Sequence, residues 1–358
     1  MVGVAPAAAR AGRPTVVAIC SPLESELVER VAAAYPERTE VRYRPDLLPR
    51  PRFGADHGDP AWRRTPEQAA AWRAMLADAE VAWDFPTDGE DGPLRLCPRL
   101  RWVQTTSAGV GAAAKRYGLA EAGVVVTTAS GIHAGPLAEF VFAALLYRVK
   151  ELPRLLDDKA ARRWEKFCGG ELRGQTLAVV GPGRIGREVA RLGRAFGMTV
   201  WATARDGRQQ RAAELGVDRV WPRAELRAML AGADATVLAT PLTAETEGMI
   251  GTAEIAAMKP GATLVNIARG AVIDEGALLA ALRSGRVGFA ALDVFREEPL
   301  AADSPFWSEP NVLINPHSAS TVWSENGRLV DIFVTNLGFW LDGQTEKMTP
   351  RLDIDRGY

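Results

Sequence analysis

The chain has 358 residues, 47% of them hydrophobic, with 43 Lys and Arg against 44 Asp and Glu and a formal net charge of -1. At ~100–200 residues per domain the length predicts two domains, each with its own core, and a charge balance this even lacks the clustered basic face of a nucleic-acid binder. Cys20, Cys97 and Cys168 show no paired spacing, and the only histidines are His57, His133 and His317, so neither a disulfide framework nor a metal site is expected.

The 37 arginines against 6 lysines in an Ala-rich chain reflect base composition and say little about function. The first 14 residues, MVGVAPAAARAGRP, lack the continuous apolar core of a signal peptide. No apolar run approaches the ~20 residues that span a bilayer. A cytoplasmic protein with no membrane partner is the expectation.

In chain order, Thr15–Cys20 reads as a strand, Leu23–Ala34 as an amphipathic helix behind Pro22, and Thr39–Arg44 as a second strand. Pro45–Pro66 is an unusually long loop. Pro66–Asp78 reads as a helix, Glu80–Phe85 and Arg101–Thr106 as strands, then a helix from Gly111 and a strand Val124–Ala129. The stretch Gly135–Lys150 is so apolar that it must be a buried helix, either between domains or inside one core. A second alternation follows. Its strands are Thr176–Val180, Thr199–Thr203, Ala235–Thr240, Ala262–Ala268, Gly288–Val294 and Asn311–Asn315, with helices between most of them. Six strands with crossover helices predict a dinucleotide-binding, doubly wound parallel sheet. A final helix, Ser324–Leu341, returns to the first domain. The expected division is 1–130 plus 320–358 for one domain and 131–319 for the dinucleotide-binding domain.

The strongest local motif is Gly181-Pro182-Gly183-Arg184-Ile185-Gly186, between the strand TLAVV and the helix REVARLGRAF. Gly181 allows the tight turn, Gly183 lets backbone approach a pyrophosphate, and Gly186 lets helix and strand pack closely. The N–H groups of the helix start then face phosphate oxygens. An acidic residue is expected ~20 positions on to bind a ribose 2′-OH. The second strand instead ends Thr203-Ala204-Arg205-Asp206-Gly207-Arg208. Arg205 and Arg208 suit a 2′-phosphate and favour NADP over NAD; the alternative leaves them solvated and gives Asp206 an NAD ribose.

Beyond the glycine loop, Thr240-Pro241-Leu242-Thr243, Met258-Lys259-Pro260-Gly261, Asn266-Ile267-Ala268-Arg269-Gly270, Leu292-Asp293-Val294-Phe295 and Asn315-Pro316-His317 follow in order. Together these segments resemble the D-isomer-specific 2-hydroxyacid dehydrogenases, over about residues 100–345. The resemblance implies two doubly wound, Rossmann-like α/β domains with the active site in the cleft between them, and a homodimer. It also implies a catalytic trio. Arg269 would hold the carboxylate and keto oxygen of a 2-oxo acid by forked hydrogen bonds. His317 would give a proton to the carbonyl oxygen during reduction and remove it during oxidation. Glu298, rather than Glu297, would hydrogen-bond that imidazole and favour its charged form, since the family's carboxylate immediately precedes Pro.

The resemblance further places Thr240, Pro241, Ile267 and Ala268 beside the cofactor with Gly181, Gly183, Arg184, Ile185 and Gly186. Asp293 would accept a hydrogen bond from the nicotinamide carboxamide, or cap a turn. Backbone N–H groups of Ala108 and Gly109 match the family's substrate loop. Trp83 and Phe85 are either core aromatics or walls of the substrate pocket. His133 is expected to be structural and His57 exposed. The reaction implied is hydride transfer between NADP or NAD and a small 2-oxo or 2-hydroxy acid such as glyoxylate or hydroxypyruvate. A dinucleotide-sensing, corepressor-like binding protein of the same fold is the alternative. Glu298 argues against a formate dehydrogenase, which would carry Gln there.

Overall fold

The computed structural model describes residues 13–59, 61–89, 91–204 and 208–353. The chain divides into two units, Met1–Ile132 with Thr321–Tyr358, and His133–Ser320.

The first unit is built on a five-stranded parallel sheet of β1 (Thr15–Ile19), β2 (Thr39–Arg42), β3 (Val81–Trp83), β4 (Trp102–Gln104) and β5 (Val125–Thr127), in the order β2-β1-β3-β4-β5. The central strands are apolar on both faces because helices cover both. One face packs Val16, Ala18, Ala82 and Val103 against Trp72, Leu76 and Leu119. The other packs Val17, Ile19, Trp83 and Trp102 against Leu329, Phe333 and Leu337 of the last helix, Glu325–Leu341. Trp83 is therefore a core residue: it is fully buried, meets Phe333 edge to face at 5.5 Å, and donates its indole N–H to Ser21 Oγ. The sequence alternatives for Trp83 close on packing.

The second unit carries a seven-stranded parallel sheet of β6 (Thr176–Val180), β7 (Thr199–Ala204), β8 (Arg219–Pro222), β9 (Ala235–Leu238), β10 (Ala262–Asn266), β11 (Val287–Leu292) and β12 (Val312–Ile314). Their order is β12-β11-β10-β9-β6-β7-β8, with the strand order reversing between β6 and β9. The expected six strands are thus seven. The extra one, β8, is a four-residue edge strand ending in Pro222, too short to show a period. The apolar helix Ala134–Val149 belongs to this core, where Leu137, Val141, Phe142 and Leu145 meet Leu177, Val179, Val189 and Val200. A further helix, Leu152–Ala160, fills what the sequence shows only as a polar stretch. Among the described residues no helix is long and apolar enough to cross a membrane.

Candidate active site

The glycine loop connects β6 to the helix Arg184–Ala195 at the point where the sheet order reverses, the crevice in which such sheets take ligands. Gly181 has φ +98°, and a Cβ there would lie 2.8 Å from the backbone of Ala239 and Thr240. A Cβ on Gly186 would lie 2.2 Å from Gly181 O. Neither position accepts a side chain. Gly183 differs: it is exposed, with nothing within 4 Å of a Cβ, and stands at the helix start with no side-chain cap. Open space in front of an uncapped helix terminus fits a pyrophosphate. A fourth glycine, Gly193, packs the same helix on the sheet, where a Cβ would be 2.9 Å from Leu177 and Val200. The motif does not include it, although its spacing one face along the helix is a usable signal.

Around this loop, Arg184 is exposed and Ile185 half-buried at the helix start, while Thr240 and Pro241 follow β9. The Pro241 carbonyl accepts from Thr246 Oγ1 at 2.6 Å, which folds that turn. β7 ends at the buried Ala204, and Arg208 is exposed at the start of a short 3-10 turn, Gln209–Arg211. Arg205 and Asp206 lie outside the described residues.

Three adjacent strand ends of the second unit carry its remaining predicted residues. After β10, Ile267 and Ala268 are buried and Arg269 is exposed. Asn266 shapes this turn by accepting from Ala268 N–H at 3.0 Å and donating to Arg269 O at 3.1 Å. Gly270 must be glycine, because a Cβ would fall 1.9 Å from the Phe295 carbonyl carbon. That close approach brings the turn bearing Arg269 against the segment bearing Glu298. The Arg269 guanidinium makes one hydrogen bond, Nη1 to Ala268 O at 2.7 Å, and no ion pair among the described residues. Most of its fork is open to an anion.

After β11, Asp293 is buried and holds the next strand end. Its Oδ1 accepts from Asn315 Nδ2 and from Ala319 N–H at 3.0 Å, and its carbonyl accepts from His317 N–H at 2.9 Å. A hydrogen bond to an ionised carboxylate contributes about 1.5–3 kcal/mol, so Asp293 fixes the turn on which His317 sits. His317 has φ +52°, a left-handed conformation costing a non-glycine residue about 1–3 kcal/mol. Its ring is held by Glu298. Oε1 of that carboxylate accepts from Phe295 N–H at 2.9 Å, and Oε2 meets His317 Nδ1 at 2.7 Å. With Nδ1 donating to the carboxylate, Nε2 is the nitrogen left for other chemistry. Glu297 makes no hydrogen bond or ion pair among the described residues, so the choice between the two glutamates is geometric. β12 and β10 flank β11, and strands are spaced ~4.8 Å apart, so the Arg269 and His317 backbones stand about two strands apart on one sheet edge.

In the first unit, Ala108 and Gly109 follow β4. Their N–H groups make no hydrogen bond among the described residues, so both can serve an anion. The loop is shaped by Thr105 Oγ1 donating to Ser107 O at 2.8 Å and Thr106 Oγ1 donating to Asp84 Oδ2 at 3.0 Å. Asp84, at φ +64° just after β3, is a positioning residue that sequence reading passes over. Phe85 meets Tyr117 edge to face at 5.6 Å. His133 occupies the cap position of the helix Ala134–Val149. His57, expected to be exposed, is not. Its side chain is only 17% exposed and its Nε2 lies 3.7 Å from Glu325 Oε1, because the long loop folds back on the last helix.

All three cysteines are free thiols. Burial pushes the Cys97 thiol up to about 12 and raises that of Cys20 well above its ordinary value, so neither supplies a thiolate nucleophile. Among the described residues no group of three or more His, Cys, Asp or Glu could hold a metal ion.

A parallel sheet with a glycine cradle at its reversal point defines a dinucleotide-binding α/β protein. Residues 142–319 match the model of the NAD-binding domain of D-isomer-specific 2-hydroxyacid dehydrogenases. The chain is 34% identical to a glyoxylate reductase of Aeropyrum pernix over 292 residues, 77% of this chain and 83% of that one. Among solved structures it resembles a D-isomer-specific 2-hydroxyacid dehydrogenase family protein of Aeromonas salmonicida, with a TM-score of 0.78 and 31% identity over 96% of this chain and all of the other. It also resembles a D-isomer-specific 2-hydroxyacid dehydrogenase of Xanthobacter autotrophicus in complex with NADPH and MES, with a TM-score of 0.72 and 27% identity over 97% of this chain and all of the other. The chain belongs to the D-isomer-specific 2-hydroxyacid dehydrogenase family, and is an oxidoreductase of the CH–OH group with that family's NAD-binding domain.

Proposed function

We propose that the protein reduces a small 2-oxo acid to the D-2-hydroxy acid with NADPH, glyoxylate and hydroxypyruvate being the simplest members of the class. The observation that carries this reading is the 2.7 Å contact between His317 Nδ1 and Glu298, on the same sheet edge as the open guanidinium of Arg269. Arg269 holds the substrate carboxylate and stabilises negative charge growing on the carbonyl oxygen. His317 delivers its Nε2 proton to that oxygen, and Glu298 keeps the ring in the orientation this needs. The N–H groups of Ala108 and Gly109 are the further donors to the carboxylate. The nicotinamide cofactor, when bound, supplies the hydride. Gly181, Gly183 and Gly186 form its pyrophosphate cradle with the start of the Arg184–Ala195 helix. Thr240, Pro241, Ile267 and Ala268 would line the cofactor, and Asp293 would accept from its carboxamide.

NADPH is preferred because β7 ends in Ala204 where an NAD ribose needs a carboxylate, and Arg208 is exposed just beyond. A spectrophotometric screen of NADPH and NADH oxidation against a panel of 2-oxo acids tests both points. Turnover is expected with NADPH at the higher kcat/KM. Ala204→Asp with Arg208→Ala should then move the preference toward NADH by about tenfold or more, the scale of a lost charge-assisted pair. A parent that already prefers NADH refutes the cofactor assignment, and a parent that reduces no 2-oxo acid refutes the function.

We place the protein in the cytoplasm as a homodimer. Leu152, Leu155, Leu156 and Trp164 are exposed on one short stretch of the second unit, an apolar surface that a second copy would cover. Light scattering should return twice the chain mass, and Leu156→Arg with Trp164→Ala should return the chain mass. A parent that scatters as a monomer at micromolar concentration rejects the dimer.

A further inference from the structure

The loop that carries Ala108 and Gly109 leaves β4 beside a chain of buried side chains whose hydrogen bonds run in one direction. The Trp102 indole can only donate, and it does so to Thr127 Oγ1 at 2.8 Å. The Thr127 hydroxyl therefore donates its own O–H to Gln104 Oε1 at 2.8 Å, and Gln104 Nε2 donates to Thr105 O at 3.0 Å. Trp102, Gln104, Thr105 and Thr127 are all fully buried. A satisfied network in the core holds one arrangement, because any other leaves a buried polar group unpaired.

Thr105 extends this chain into the loop. Its N–H donates to Thr127 O at 2.8 Å, so its hydroxyl goes to Ser107 O, also at 2.8 Å. Ala129 N–H reaches the same carbonyl at 3.3 Å, longer than an ordinary N–H···O bond. The shorter bond sets the direction of the carbonyl. The peptide joining Ser107 to Ala108 is trans and planar, so its N–H points opposite to its C=O. Turning Ser107 O toward Thr105 and Ala129 turns the Ala108 N–H away from both, and no described residue accepts from it. Thr106 ties the loop to the end of β3. Its hydroxyl donates to Asp84 Oδ2 at 3.0 Å, and Asp84 N–H donates back to Gln104 O at 2.7 Å.

A valine at 105 would have the same branched shape for the strand end. The hydroxyl adds one thing, the bond that orients the loop.

We propose that Thr105 and Thr106 are positioning residues that aim the Ala108 N–H at the substrate carboxylate, with Gln104 locking Thr105 from within the core. The inference rests on the reading of the protein as a 2-oxo acid reductase with Ala108 as a carboxylate donor. A donor fixed before the anion arrives need not be ordered on binding. The carboxylate keeps this contact before and during hydride transfer, so losing it raises KM and leaves kcat near that of the parent.

Steady-state kinetics with NADPH and the 2-oxo acid turned over fastest test the proposal. Thr105→Val leaves Ser107 O its Ala129 partner, so no buried acceptor is stranded. It should raise KM for the acid by about tenfold, the effect of one mis-aimed hydrogen bond to a charged group. Its kcat and its affinity for NADPH should stay near the parent's. Thr105→Ser restores the donor and should return KM close to the parent value. Thr106→Val, which cuts the tie to Asp84, should raise KM in the same way, and carries the test alone if Thr105→Val does not fold. A lower Tm with KM unchanged is the mark of a merely structural role and overturns the proposal. Equal rises in KM for Thr105→Val and Thr105→Ser overturn it as well, since the hydroxyl is then not the cause. A parent inactive on every 2-oxo acid overturns instead the function on which the proposal rests, so the two failures are told apart.

Discussion

His317→Ala should lower kcat by about 10²–10⁴, the usual contribution of a positioned general acid, while the affinity for NADPH stays as in the parent. The separation follows from placement. His317 stands after β12, and the glycine cradle stands three strands away between β6 and β9. The substitution also removes a side chain at φ +52° without changing the backbone demand, and the turn itself is tied by Asp293 to the N–H groups of His317 and Ala319. Loss of rate therefore reports on the imidazole and not on a collapsed loop. Stopped-flow measurement of hydride transfer with NADPH, beside cofactor binding by fluorescence, separates the two terms. A variant with the parent's kcat would remove His317 from the proposed chemistry. Glu298→Gln is a useful companion: it keeps a hydrogen-bonding group beside Nδ1 but removes the charge, so its kcat should fall between parent and His317→Ala.

Arg269→Ala should raise KM for the 2-oxo acid and lower kcat together, by about 10²–10³ in kcat for loss of one oxyanion donor. Both parameters move because one guanidinium serves the carboxylate in the ground state and the carbonyl oxygen in the transition state. Arg269→Lys should recover part of the binding but little of the rate, since an ammonium cannot make the planar forked contact. The guanidinium spends only one of its five donors, on Ala268 O. The turn beneath it is set by Asn266 and Gly270, which the substitution leaves in place. Steady-state kinetics on glyoxylate decide the matter, and an Arg269→Ala enzyme with the parent's kcat and KM would refute the role.

The residues most readily legible in the chain were those whose chemistry is local. Gly181 and Gly186 act through the space immediately around one strand and one helix, so a strand, a glycine pattern and a helix in succession predict their place. Arg269 and Glu298 were singled out by the resemblance to the family's motifs, and the roles given to them are proposals. Less visible were the side chains that hold these groups still. Gly270, Asn315 and Asp84 act through hydrogen bonds or close approaches to residues that are near only after the strands have paired. The buried state of His57 escaped the sequence altogether, because its neighbour Glu325 is far along the chain. Trp83 could be read as core or as pocket until Phe333 was seen against its ring. β8 left no signal, being four residues long and at a sheet edge.

By itself the sequence determined the α/β class, the two cores and the family, because alternating apolar runs and motif spacings are properties of contiguous residues. It also left only three histidines as candidates for the proposed proton donor. Tertiary structure alone decided how closely Glu298 meets His317, what fixes the turn beneath it, and how the 45–65 segment is fastened to the last helix. Each of those is a contact between segments distant in sequence, and its distance is set by sheet order and helix packing, which no local pattern encodes.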